Sequence, residues 1–179
     1  MIRYMCRVIS YVQYLPAKSI KHGIKVFVIC CALSGILLVF KVYVGKEDST
    51  NDNSALAVCD RLVDDAGLTA NRGRVLYTDN YYTSVKLAKH MFEQYGWTIV
   101  GTIVSTDKKS REDDNIPFLK LSNGARNGLK RGWYREAVLK VKTKHGKHYY
   151  IQCTTWRDKK QVCFLNTNKV GFSNGLSVK

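Results

Sequence analysis

The chain has 179 residues, enough for one domain or part of one, and its 45% hydrophobic content supports a core and excludes a disordered polymer. A formal charge of +15 predicts attraction to polyanions, with nucleic acid first and an anionic membrane second, and says nothing about the fold. Six cysteines without a C-x-x-C pair and four histidines without finger spacing argue against a structural zinc site; with no cleavable signal pattern, they point to a reducing, intracellular setting.

Charge is unevenly spread. Met1 to Lys46 contains no acid but carries Arg3, Arg7, Lys18, Lys21, Lys25, Lys41 and Lys46. Lys120 to Lys147 is a second basic region, with Glu136 as its only acid. Acids gather in 47–65 and 107–114.

Residues 1–22 are basic, aromatic-rich and read as irregular. "VFVICCALSGILLVF" (Val26 to Phe40) follows, apolar throughout between Lys25 and Lys41. It is shorter than the roughly 20 residues a bilayer core requires. Its β-branched and aromatic residues, with the Ser34-Gly35 turn signal, predict two buried strands at 24–32 and 36–44. Hydropathy alone would mark a membrane helix, with Lys41 snorkelling, and that is the alternative.

After the polar loop 45–54, Ser54 or Asn53 caps a predicted helix through "ALAVCDRLVDDAG", stopped by Gly67, with Leu56, Cys59, Val63 and Ala66 on one face. "RVLYT" is a short strand. A helix over 83–95 buries Val85, Leu87, Ala88, Met91 and Phe92, and "WTIVGTIV" is the next strand. The charged loop 105–115 follows. From Pro117 the pattern changes: "WYREAVLKVKT", "KHYYIQCTTW" and "QVCFLNT" alternate as antiparallel strands, joined by turns at 144–147 and 157–160. Residues 169–179 carry no pattern. The element order predicts a mixed α/β sheet with flanking helices, an order that also fits a ribonuclease-H-like fold.

Chemistry centres on "RVLYTDNYYTS" (Arg74 to Ser84), which sets Asp79 at the end of a strand and before a helix. A two-metal phosphodiester site needs several carboxylates arriving from separate strands, and a strand-end aspartate can be one of them. The alternative is structural: a turn or cap aspartate, with Asn80 or Thr83 sharing the capping.

The run "LYTDNYYTSVKLAKHM…GWTIVGTIVSTDKK" resembles the signature of piggyBac-type transposases and their domesticated derivatives. The segment "KSIKHGIKVFVICCALSGILLVFKVYVGK" resembles that family's preceding hairpin, and 133–167 resembles its β-rich insertion. The resemblance covers 18–168 and is most specific over 77–84. It implies a partial ribonuclease-H-like core over 18–115, a β-rich antiparallel insertion over 116–168, a basic segment over 1–17 and a tail over 169–179. It also implies cut-and-paste DNA chemistry by an aspartate triad holding Mg²⁺.

Carried over, Asp79 matches the second catalytic aspartate and metal ligand. Cys31 stands where the first is expected, and a thiol is a soft, poor ligand for Mg²⁺. The third lies beyond Lys179 in the family. The expectation is a truncated transposase fragment without activity, nuclear or otherwise intracellular and not secreted, binding Mg²⁺ unproductively if at all.

Two other readings stay open. One is a DNA-binding derivative using Lys120, Arg126, Lys130, Arg131, Arg135, Lys140, Lys142, Lys144 and Lys147, with Trp133, Tyr134, Tyr149 and Tyr150 interleaved. Cross-strand packing explains those aromatics equally simply. The other is a membrane-associated protein using 26–44. Partners under these readings are DNA, an intact transposase copy or, least favoured, a membrane.

Overall fold

The computed structural model describes residues 2–3, 11–16, 19–44, 54–69, 73–103, 130–143 and 146–168. They fall into two compact units, Met1–Ala70 and Asn71–Lys179. Lys120, Arg126, Lys144, Cys6, the loops expected at 45–53 and 105–115, the 115–116 junction and the 169–179 tail lie outside the described residues.

The first unit opens with strands where irregular chain was expected. β1 (Ile2–Arg3), β2 (Val12–Tyr14) and β3 (His22–Ile24) form a small antiparallel sheet in the order β1-β3-β2. Leu15 N–H donates to Lys21 C=O at 2.8 Å, closing the β2–β3 connection around Pro16. Pro16 sits in this turn, where its missing N–H leaves no ladder bond unmade.

β4 (Val26–Cys30) and β5 (Leu37–Val42) form the predicted hairpin, antiparallel and with a bulge at Ile29/Cys30. Gly35, at φ +71°, takes the left-handed turn position, its N–H donates to Cys31 C=O at 2.8 Å, and Ile36 N–H donates to the Ser34 hydroxyl. The strands were expected to be buried, and they are not. Of the two, only Phe27 is buried, while Val28, Leu37, Leu38, Phe40 and Val42 are exposed and Leu33, at the tip, is 99% exposed. The apolar run is real, but among the described residues little covers it.

α1 (Ala55–Asp65) packs on β4 and β5. The Ser54 hydroxyl accepts from Ala57 N–H at 3.3 Å, so Ser54 is the cap. Gly67, at φ +65°, ends the helix, and Leu68 N–H closes back onto Val63 C=O at 3.1 Å. The buried face is Val58, Cys59, Leu62 and Val63. It is rotated from the expected stripe, and Leu56 and Ala66 are only half-buried. Apolar residues at 55–59 allow either stripe, and packing on the hairpin selects one. Lys41 Nζ lies 3.0 Å from Asp65 Oδ2; half-exposed on both sides, this pair orients more than it stabilises.

The second unit is one five-stranded mixed sheet in the order β6-β7-β10-β9-β8. It is built from β6 (Val75–Thr78), β7 (Thr98–Ile103), β8 (Tyr134–Lys142), β9 (His148–Arg157) and β10 (Gln161–Asn166). β6 and β7 run parallel, joined through α2 (Val85–Tyr95), and every other pair is antiparallel. Strands from both sides of the expected 115–116 junction therefore share one sheet.

The two faces of this sheet differ. Ile99, Ile103, Ala137, Ile151, Cys153, Thr155, Cys163 and Leu165 are buried together on one face. α2 contributes Val85, Leu87, Ala88 and Met91, and Phe92 stacks on Tyr149 with ring centroids 4.5 Å apart. Leu87 and Met91, shut off from solvent, each contribute roughly 1.5–3 kcal/mol. Cys59, Cys153 and Cys163 are buried and free, whereas Cys30 and Cys31, in the most apolar run of the chain, are exposed and half-buried. Burial, reinforced by Cys163, pushes the Cys153 thiol up to about 12.

Candidate functional site

The Asp79 segment is built by three side chains and one missing Cβ. β6 ends at Thr78, directly opposite Gly101 on β7. A Cβ at Gly101 would overlap the Thr83 hydroxyl, Thr78 C=O and the Thr78 hydroxyl. Gly101 therefore opens the space in which Thr78 Oγ1 and Thr83 Oγ1 meet at 2.8 Å. Thr83 Oγ1 also lies 2.6 Å from Asp79 C=O, and Thr83 N–H donates to that carbonyl at 3.0 Å. Thr83 is itself buried. The motif's Thr83 and the "GT" of "WTIVGT" form one brace, which sequence spacing did not reveal because it joins residues of different elements.

Asp79 itself is exposed. Its Oδ1 accepts from Tyr81 N–H at 3.0 Å, an Asx turn that steers the chain off the strand. The strand before it is a half-exposed sheet edge, not a buried strand, so its charge meets no burial cost. The helix cap is Ser84, whose hydroxyl accepts from Leu87 N–H at 3.1 Å, and neither Asn80 nor Thr83 takes that role. Gly96, at φ +67°, closes the other end of α2.

Cys31 follows the last residue of β4, at the mouth of the hairpin turn. Its N–H donates to Ile36 C=O and its carbonyl accepts from Gly35 N–H, both at 2.8 Å. Among the described residues no group of three His, Cys, Asp or Glu side chains converges as metal ligands. The donors singled out by sequence, one exposed carboxylate with an oxygen engaged in a turn and one thiol, do not fit a pair of Mg²⁺ ions, which demand hard oxygen ligands.

The predicted phosphate-binding cations that are described all lie at the surface: Lys130, Arg131, Arg135, Lys140, Lys142 and Lys147. They surround the β8–β9 pair. Arg131 Nε is held 2.7 Å from Asp158 Oδ1, so its charge is partly committed. The interleaved aromatics separate by strand parity. Tyr149 belongs to the core, whereas Tyr134 and Tyr150 are exposed on the other face. Trp156, 40% exposed and directly opposite Tyr134, belongs with them and was not singled out from sequence. The even spacing of Tyr150 and Trp156 along "YYIQCTTW" was the available signal.

No helix among the described residues is long and apolar enough to cross a membrane. Residues 26–44 contain a strand pair instead.

Comparison with known proteins places this geometry. A family model described as Transposase IS4 matches residues 1–173. Among solved structures, piggyBac transposase, determined by cryo-EM as a synaptic complex with hairpin DNA, matches with a TM-score of 0.66 and 23% identity. The match covers 96% of this chain and 32% of that one, so the chain spans about a third of that neighbour's length. The likeness shows a shared, ribonuclease-H-like α/β fold. No curated protein matches the chain. By the family match the chain belongs to the Transposase IS4 family.

Proposed function

We propose that this member of the IS4 transposase family is a DNA-binding domain that lacks strand-cleaving chemistry of its own. The observation that carries the binding is the set of exposed cations around β8 and β9, with Glu136 the one acid on β8. These cations offer phosphate contacts, and the overall charge of +15 steers a polyanion toward them. The neighbouring fold belongs to a transposase seen with hairpin DNA, which supports DNA as the polyanion.

The loss of chemistry rests on Cys31. The family resemblance puts an aspartate there, and a thiol does not replace a hard oxygen ligand for Mg²⁺. Asp79 would then serve as the turn that its bond to Tyr81 already makes.

Duplex DNA titrated at several salt concentrations tests the binding. Affinity should fall steeply with salt, and Lys140→Gln with Lys142→Gln should flatten the log–log slope by about 1 each. Salt-independent binding, or none, would overturn this half. Incubation of nicked and hairpin DNA with the full chain and Mg²⁺ or Mn²⁺ tests the other half. No cleavage is expected, and cleavage abolished by Asp79→Ala would overturn it.

A further inference from the structure

The proposed function uses cations, Lys140 and Lys142 on the open face of the five-stranded sheet among them, and leaves the rings of that face without a task. Cross-strand partners define that face. On β8 and β9, Tyr134 lies opposite Trp156, Lys140 opposite Tyr150, and Lys142 opposite His148. Every ring in this set points away from the core that Tyr149, Ile151 and Cys153 build on the opposite face. Tyr134, Tyr150 and Trp156 keep 48%, 45% and 40% of their surfaces in solvent. Across the sheet this face passes the half-buried Val138, Asn166 and Val100 and the buried Gln152 before it opens again at Tyr77, 62% exposed and two residues before Asp79.

Cross-strand packing accounts for Tyr134 beside Trp156. It does not require a third large ring six residues along β9, set opposite a lysine and open to water. Six residues of strand span about 20 Å, the length of about six nucleotides at the 3.4 Å spacing of one stacked strand. A duplex hides its bases and offers such rings nothing beyond phosphates. An unpaired strand offers a π-face at every base and a phosphate at every step, which matches the Tyr134–Trp156 pair at one end of the face and Tyr150 beside Lys140 and Lys142 at the other. Glu136, on the same face, is the one acid on β8 and discourages a phosphate from settling between the ring pair and the lysines.

We infer that the open face of the five-stranded sheet, centred on Tyr134, Trp156 and Tyr150 with Lys140 and Lys142, binds an unpaired nucleic-acid strand by base stacking. This deepens the DNA-binding reading above and rests on it for the cations alone. The ligand is a single strand of either sugar, because stacking does not read the 2′-hydroxyl.

The test is fluorescence anisotropy of the full-length chain with labelled 12-nucleotide oligo(dT), 12-nucleotide oligo(rU) and a 12-base-pair duplex, all at one salt concentration. The single strands should bind more tightly than the duplex. Trp156→Ala and Tyr134→Ala should each weaken oligo(dT) binding about fivefold or more and leave duplex affinity within about twofold. Trp156→Phe, which keeps a ring, should recover most of the loss. Tyr150→Gln, at an exposed site that no core residue needs, provides the same test should an alanine variant fail to fold. Lys140→Gln should weaken both substrates and lower the single-strand salt slope by about 0.7. A preference between oligo(dT) and oligo(rU) would assign DNA or RNA as the source, and tight binding of either supports the inference. Salt-dependent duplex binding with single strands bound no more tightly, or aromatic variants that lose both substrates equally, would overturn the inference and leave the DNA-binding reading standing. No binding of any of the three would overturn both.

Discussion

The β4–β5 hairpin and the β6–β10 sheet differ in apolar content and, against expectation, in fate. Val, Ile, Leu and Phe fill 9 of the 11 strand positions in the hairpin and 12 of the 35 in the sheet, yet the sheet is the better buried. In the sheet those residues alternate, and α2 seals one face over Ile99, Ile151 and Leu165, none of which reaches solvent. In the hairpin the apolar run is continuous, so both faces carry hydrophobes, and α1 can cover only part of one. Val28, Leu37, Leu38 and Phe40 stay exposed as a result. Strand propensity is thus a weaker statement than burial: it reports that a residue fits a pleated surface, not that something lies over it. An apolar exposed hairpin is also a liability for self-association.

The comparison breaks or sharpens most strongly at the sealed face. Ile151→Ala should destabilise the second unit by about 3 kcal/mol, since it empties a fully buried site; urea denaturation followed by tryptophan emission would measure it. A loss below about 1 kcal/mol would mean that this face is not the sealed core described.

Gly101→Ala comes next. The new methyl would meet the Thr78 and Thr83 hydroxyls and Thr78 C=O, and forcing them apart should cost about 2 kcal/mol. Thr83→Ser, which keeps the hydroxyl and removes a methyl, should remain close to wild type in the same denaturation experiment. Equal losses in the two variants would mean that the brace is steric and not hydrogen-bonded.

A smaller effect depends on pH. The Cys153 thiol is ordinarily about 9.0 and is raised to about 12 in the fold. The unfolded chain therefore releases this proton first. The stability due to this group is intact below pH 9 and is lost progressively as pH climbs toward 12. By pH 10 the loss should be about 1 kcal/mol. Tyrosines titrate in the same window, so the quantity to read is the difference between wild type and Cys153→Ala. Parallel pH profiles for the two would show that Cys153 is not shielded.

The smallest effect belongs to the hairpin. Leu38→Ser and Phe40→Ser should change the unfolding free energy by no more than about 0.5 kcal/mol, because both side chains already face solvent. The same substitutions should reduce self-association in sedimentation. A loss of several kcal/mol would show that the hairpin is covered in solution and would erase the contrast with the sheet.

Much of this was legible along the chain. The Ser54 cap, Gly67 as the end of α1, the Ser34-Gly35 turn and the strands of the sheet all follow from local chemistry, because caps and turns are satisfied by residues within a few positions of one another. The Ser84 cap is just as local, but Asn80 and Thr83 compete for it along the chain. The Asp79 turn was legible as one of two alternatives, and the bond to Tyr81 N–H supplies the local one. Residues 1–22 read as irregular in sequence because β1, β2 and β3 are too short to show alternation.

By itself, the sequence determined the basic character of the chain and the kind and order of its main elements, both of which depend on residue identity and near neighbours. Only the tertiary structure decided that, among the described residues, the hairpin strands are largely exposed and β6 is the edge of its own sheet. The same is true of the space Gly101 leaves for the Thr78–Thr83 brace and of the open face that Tyr134, Tyr150 and Trp156 share. Each of these depends on which strand lies beside which, and strand order is set by contacts between residues far apart in the chain.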